Sequence, residues 1–462
     1  MRYLNQKPTR MNQLDEAVAR YHKLLETEPY KDLGWAEALA ERMLAEHLTQ
    51  GGRLICPFLR PNFITRRQYD NMVKAAEALF SAIDRVKQMA LGNPALLARM
   101  ELLPAEKMLA SIDPGYSFLA VTSLLDTHLS NGSMYFVEYN ADTPVGVAYG
   151  EALADLFYEC PPVKEFRKRY ALQKLGGKKH LLAAALKAYK QFGGTKQPNI
   201  AILEFRQPFQ STEQGEYLLL RDFFRAEGYP TEIVSPDQLE YRSGVLRHGN
   251  FAIDLIYRRV KAQEFLLRYD LSHPLVRAYR EGKVCVVNSF RSELAHKKAI
   301  FDLLTDETIT AGFPSSETKA IRQYIPWTRM VALAKTSYQD QTIDLPAFIL
   351  KNREKLVLKP NDDSGEHHSV RGWETDEAGW ERALRRALRM PYVVQEKVEA
   401  THASFPLLRY GELEVRDMQV DLHPHAYLGK VQGCSSWLSA GDGGAFSTVT
   451  GLAPTFILEP KG

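Results

Sequence analysis

Phe136-Val137-Glu138-Tyr139-Asn140-Ala141-Asp142-Thr143-Pro144 sets a carboxylate and a carboxamide two residues apart among apolar and aromatic neighbours. On a strand, this spacing puts Glu138 and Asn140 on one face, because side chains alternate with period two. Oxygen donors on a shared face suit a hard cation such as Mg²⁺, which often bridges to phosphates. A plainer reading stands beside this one. Glu138-x-Asn140 alone also describes an edge strand with ordinary surface polar residues.

Working outward, Asp126 ends the preceding apolar run, Phe118–Asp126, and Ser130-Asn131-Gly132 joins the two strands. Parity makes a demand here. A two-residue Asn131-Gly132 turn pairs Asp126 with Val137 and sends it to the wrong face. A three-residue loop ending on Gly132 pairs Asp126 with Phe136 and gives it the face of Glu138 and Asn140. The three-residue loop, or another odd-length connection, is therefore expected, with Asp126, Glu138 and Asn140 as the metal-ligand set.

Further along, Leu356-Val357-Leu358-Lys359-Pro360 reads as a strand that delivers a lysine into a turn-rich loop. An ammonium group at a strand end, followed by loop N–H groups, is a phosphate-binding device. Tyr392-Val393-Val394-Gln395-Glu396-Lys397-Val398 is a second strand ending in groups able to read an adenine edge. Each segment alone has an ordinary structural reading. Together, around a helix at Glu377–Leu388, they describe a clamp over a nucleotide.

The rest of the chain is ordinary in composition. It has 462 residues, 45% hydrophobic and 25% charged, as in a soluble globular protein of several domains. A net charge of +3 gives no reason to expect nucleic acid or an anionic membrane as a partner. No apolar run reaches the roughly 20 residues that span a bilayer, and the polar N-terminus lacks the apolar core of a signal peptide. The four cysteines, Cys56, Cys160, Cys285 and Cys434, are dispersed without C-x-x-C. Reduced thiols in a cytoplasmic protein are expected, with Cys56 as a nucleophile the minor alternative. Helical spacing dominates from about 12 to 100, and strands alternate with helices from Asn199 to Asn288, which predicts a mainly parallel sheet.

The order Lys359-Pro360, loop, Trp373-Glu374, Trp380-Glu381, Val393-Val394-Gln395-Glu396 resembles the small nucleotide lobe of ATP-grasp proteins. In standard ATP-grasp chains the metal ligands follow this lobe, whereas here Asp126 and Glu138-x-Asn140 precede it. That order resembles the circularly permuted ATP-grasp proteins, a group that includes glutathionylspermidine synthase-like sequences. Asp254–Arg259, Val287-Asn288 with Lys297-Lys298, and Pro326-Trp327-Thr328-Arg329 also match, so the resemblance spans roughly residues 110–460.

The resemblance implies an α/β (α+β) permuted ATP-grasp fold. Its divisions are a helical region (1–110), metal-ligand strands with helices (111–195) and an α/β substrate-side unit (196–292). A helical connection (293–345), the small nucleotide lobe (346–400) and the remaining large-lobe strands (401–462) follow. It also implies ATP and Mg²⁺ as cofactors, with small-molecule carboxylate and amine substrates joined through an acyl phosphate. Lys359, Ser364 and Gly365 would contact phosphates, and Gln395, Glu396 and Val398 the adenine and ribose. Lys298 would be a further phosphate ligand, although its neighbour Lys297 fits the same role. Arg416 would face the transferred phosphoryl group, and Asp126, Glu138 and Asn140 would hold the metal. Arg258 or Arg259 would anchor a substrate carboxylate, the alternative being solvent-facing arginines at a strand end.

One stretch departs from the family pattern. Ser364-Gly365-Glu366-His367-His368-Ser369 holds a single glycine where the phosphate loop is usually glycine-rich. Glu366 beside a polyphosphate costs about 1 to 4 kcal/mol, depending on screening. The adjacent histidines are poor joint metal ligands, since neighbours on an extended segment point apart. This stretch keeps two alternatives open: a nucleotide-binding protein without turnover, and a phosphotransferase to a non-carboxylate acceptor.

Overall fold

The computed structural model describes residues 13–130, 133–142, 144–205, 215–362, 369–409, 411–440 and 449–460. Its central feature is a six-stranded antiparallel sheet assembled from both ends of the sequence. The strands run Ser133–Asn140, Thr122–Ser130, Glu412–Tyr427, Lys430–Ser439 and Thr450–Ala453, with His402–Arg409 paired to the outer part of Glu412–Tyr427. One pairing joins distant parts of the chain: Thr122–Ser130 lies against Glu412–Tyr427, with Asp421 opposite His128 and His425 opposite Leu124.

The metal-strand hairpin reaches the expected face by an unexpected route. Ser130 pairs with Ser133 and Thr127 with Phe136, which is the register of a two-residue connection rather than a three-residue loop. The register then shifts, so that Asp126 pairs with Glu138. Val137 is the extra residue, a β-bulge that flips parity once. It is only 6% exposed, so apolar burial holds it in place. The connecting residues 131–132 lie outside the described part of the chain.

The N-terminal region is mostly helical, as its periodicity predicts, but Asn62–Thr65 is a strand paired in parallel with Thr455–Pro460. Its longest element, Arg66–Gly92, begins with a capping box: the Gln68 N–H donates to Thr65 Oγ1 (3.2 Å) and the Thr65 N–H to Gln68 Oε1 (2.8 Å). Leu79, Phe80, Ile83 and Val86 recur at helical spacing and bury against Leu125, Phe136, Tyr139 and Leu422 of the large sheet. This helix therefore backs the face opposite Asp126 and Glu138.

The α/β unit is a four-stranded parallel sheet ordered Cys285–Val287, Leu255–Arg258, Ile200–Leu203, Thr231–Val234. The small lobe is an antiparallel sheet ordered Thr328–Met330, Tyr392–Glu396, Leu356–Pro360, Val370–Arg371. Helix Glu377–Ala387, capped by Asp376, packs Trp380 and Leu384 against Leu356, Leu358 and Val394. Thr328–Met330 comes from the stretch expected to be a helical connection. Pro326 cannot continue the helix Ser315–Tyr324, and the strand that follows completes the lobe. All four cysteines are free and buried, and burial pushes the Cys56 thiol up to about 12, against the thiolate a nucleophile needs. Among the described residues no helix is long and apolar enough to cross a membrane.

Candidate functional site

Asp126 and Glu138 lie directly opposite each other on the open face of the large sheet. Burial raises the Asp126 carboxyl above its usual range. Glu138 and Asp421 push it further, while His423 and His128 pull it back. For Glu138, burial acts in the same direction, but Lys298, Lys359 and His296 outweigh it and its carboxyl is lowered. Lys298 Nζ stands 3.4 Å from Glu138 Oε1. Asn140 Oδ1 accepts the Asp142 N–H at 3.1 Å.

Four residues outside the expected set share this face. His423 Nδ1 is 3.5 Å from Asp126 Oδ1, and His128 Nδ1 is 2.5 Å from Asp421 Oδ1. Gln419 Nε2 donates to Asp421 Oδ2 at 2.9 Å. The signal for Gln419, Asp421 and His423 was present in Asp417-Met418-Gln419-Val420-Asp421-Leu422-His423, a strict polar–apolar alternation. What was missing was the knowledge that this strand lies beside Thr122–Ser130.

The structure also separates the two adjacent lysines. Lys297 is buried and turned away, donating to Glu106 Oε1 (2.9 Å) and to Asp362. Lys298 takes the side of Glu138. Asn361 holds this arrangement: its carbonyl accepts the Lys298 N–H (2.8 Å) and its Oδ1 accepts the Ala299 N–H (2.8 Å).

On the small lobe, Lys359 Nζ donates to Gln395 Oε1 at 2.9 Å, and Gln395 Nε2 donates to Thr328 Oγ1 at 3.0 Å. Glu396 accepts the Tyr338 hydroxyl on Oε1 (2.7 Å) and the Trp327 N–H on Oε2 (3.2 Å). Val398 follows this strand, half-buried. Ser364 and Gly365, with the rest of 363–368, lie outside the described residues. Lys359, after Lys298, also lowers the Glu138 carboxyl.

Arg416 is not brought in. It pairs with Phe405 and shares the strand face of Met418 and Val420, which are buried in the core. Alternation places it opposite to Asp421 and His423, and its Nε donates to Glu414 Oε1 at 2.6 Å. Arg258 and Arg259 are not solvent-facing. Arg258, 1% exposed, donates to Asn288 O (3.0 Å), Val260 O (2.6 Å) and Ser292 Oγ (2.7 Å), and pairs with Asp142. Arg259 donates to Pro144 O and lies 3.8 Å from Glu216 Oε2. Glu216 Oε1 in turn accepts the Gly146 (2.9 Å) and Ala148 (3.0 Å) N–H groups at the start of helix Val147–Glu159. The two arginines thus clamp the loop after Asn140 onto the α/β unit.

A family model described as circularly permuted ATP-grasp type 2 matches residues 113–438. The chain belongs to that family. A glutathione synthetase-like effector from Globodera pallida, in its apo form, superposes on this ATP-grasp chain with TM-score 0.58. The two share 13% identity over 94% of this chain and 98% of that one. That likeness is one of fold. A putative gamma-glutamylcysteine synthetase from Methylobacillus flagellatus KT gives TM-score 0.43 at 10% identity, over 83% and 86% of the two chains. No curated protein matches the chain significantly.

ATP-grasp proteins use ATP with divalent metal ions. The face of this permuted ATP-grasp chain fits such an ion: two carboxylates stand opposed and a carboxamide oxygen follows on the same strand, all hard donors. Among the described residues no group of three or more His, Cys, Asp or Glu is arranged to hold a metal.

Proposed function

We propose that this permuted ATP-grasp protein is an ATP- and Mg²⁺-dependent ligase that joins a carboxylate to an amine through an acyl phosphate. The observation that carries the reading is the convergence of Lys359 from the small lobe and Lys298 on Glu138, with Asp126 facing it. Positive groups from two lobes and a paired-carboxylate face are what a polyphosphate with its cation needs.

In this reading Lys359 and Lys298 bind phosphate oxygens and neutralise charge that develops as the terminal phosphoryl group moves to the substrate carboxylate. Asp126, Glu138 and Asn140 hold Mg²⁺, which supplies charge neutralisation at the phosphates. Gln395, Glu396 and Val398 line the base and ribose. The amine then displaces phosphate from the acyl group. Catalysis is positioning and electrostatics, and no side-chain nucleophile is required.

The test is ATP-dependent phosphate release across a panel of amino acids, small carboxylic acids and amines, with mass spectrometry of the products. An amide product dependent on both ATP and Mg²⁺ establishes the reading. The single-glycine stretch at 364–369 favours one alternative, a nucleotide binder without turnover. Tight Mg-ATP binding with no release under any acceptor would select it.

A further inference from the structure

We infer that Glu106, in the N-terminal helical region, is a positioning residue for the nucleotide site that acts through Lys297 on Asp362. The inference rests on the nucleotide reading above, and it gives the helical region a part in that site. Glu106 lies outside the family match, which begins at residue 113.

Glu106 sits in the helix Pro104–Ser111 and is fully buried. One carboxylate oxygen accepts the Leu103 N–H at 2.8 Å and caps its own helix. The other accepts the Lys297 ammonium at 2.9 Å. Lys297 bridges on to Asp362, and His296 Nε2 lies 3.5 Å from the other Asp362 oxygen. A buried carboxylate held at both oxygens has one geometry, and so does the ammonium between two carboxylates.

Asp362 is the point of this arrangement. The strand Leu356–Pro360 delivers Lys359, and the residues just after that strand must stay fixed for its ammonium to stay fixed. Asn361 is tied four ways: its N–H to Pro391 O (2.9 Å), its carbonyl to the Lys298 N–H, its Oδ1 to the Ala299 N–H (2.8 Å) and its Nδ2 to Met100 O (3.0 Å). Asp362 adds the Lys297–Glu106 tie. Lys298 and Lys359, the two cations facing Glu138, are therefore held to a common knot whose far side is residues 100–106. Lys297 is spent on this knot.

A merely structural salt bridge would lower stability when cut and leave substrate affinities in proportion. A positioning role separates them. Full-length wild type, Glu106→Gln and Asp362→Asn are titrated with Mg-ATP by calorimetry and assayed for ATP-dependent phosphate release. Both variants are expected to weaken Mg-ATP binding, and to raise the ATP KM, about tenfold, with kcat at saturating ATP within about twofold. Acceptor KM is expected to be unchanged. Wild-type affinity for Mg-ATP in both variants overturns the inference and leaves the ligase reading standing. Absence of Mg-ATP binding by the wild type overturns the nucleotide reading, and this inference with it. If Glu106→Gln does not fold, Asp362→Asn decides alone, because its side chain lies at the outer end of the triad.

Discussion

Asp126 faces Glu138 across the hairpin because Val137 is bulged out of register between them and the turn. Two carboxylates set opposite each other beside a third, Asp421, repel when no cation lies between them. The fold tolerates this through Lys298, His423 and His128. Such stored repulsion is what a cation site requires, and it makes function and apo stability pull in opposite directions.

Asp126→Asn is therefore expected to stabilise the apo protein at neutral pH. The folded-state pKa of Asp126 is raised, so its folded form holds more protons than its unfolded form. Its charge costs stability as pH rises through the window between its unfolded and folded values, and the full cost is present above that window. The gain from Asn should be on the order of 0.5 kcal/mol, discounted because the side chain is 33% exposed. It should vanish at a pH below the ordinary aspartate range. Denaturant titrations at the two pH values measure this, and a neutral-pH loss would remove the repulsion argument. Mg²⁺-dependent turnover should fall by about 100-fold or more in both Asp126→Asn and Glu138→Gln.

Arg416→Ala should leave turnover within about threefold, because alternation directs it away from the carboxylate face. A kinetic comparison with Lys298→Met, expected to lose about 100-fold through lost charge neutralisation, makes the contrast. A comparable loss in Arg416→Ala would mean the strand faces are assigned wrongly.

Arg258→Met should cost about 3–5 kcal/mol, since it leaves Asp142 charged and buried. Adding Asp142→Asn should recover part of that loss. Urea denaturation of the two single variants and the double variant closes the cycle. Additive losses would show that the two side chains do not interact.

His425 is buried, and burial first, then the charges of His423 and Arg259, lower it to about 3. Its folded form stays neutral while the unfolded histidine takes a proton near its usual 6.5. Its contribution is therefore fully present above about pH 6.5 and is lost as pH falls toward 3. His425→Gln should flatten the Tm-versus-pH curve in that window relative to wild type. An identical slope in both proteins would place the acid lability elsewhere.

Much of the site was legible in the chain because its signals are local. Period-two spacing put Glu138 and Asn140 on one face, and parity demanded an odd-length connection, where the structure has a two-residue connection and a bulge at Val137 instead. Lys359 and Gln395-Glu396 were readable as strand ends, and the helical N-terminal region as a periodic pattern. What the tertiary structure alone decided depends on partners far along the chain. His128 and Asp421, 293 residues apart, meet only because Thr122–Ser130 and Glu412–Tyr427 share a sheet. Lys297 and Lys298 are equivalent as adjacent residues, and only the buried Glu106 and the partly exposed Asp362 assign one to the scaffold and the other to Glu138. Arg258 and Arg259 look like surface arginines until the seam with the loop after Asn140 closes over them. Alternation is written in neighbouring residues. Burial and charge pairing are set by whatever the folded chain brings alongside.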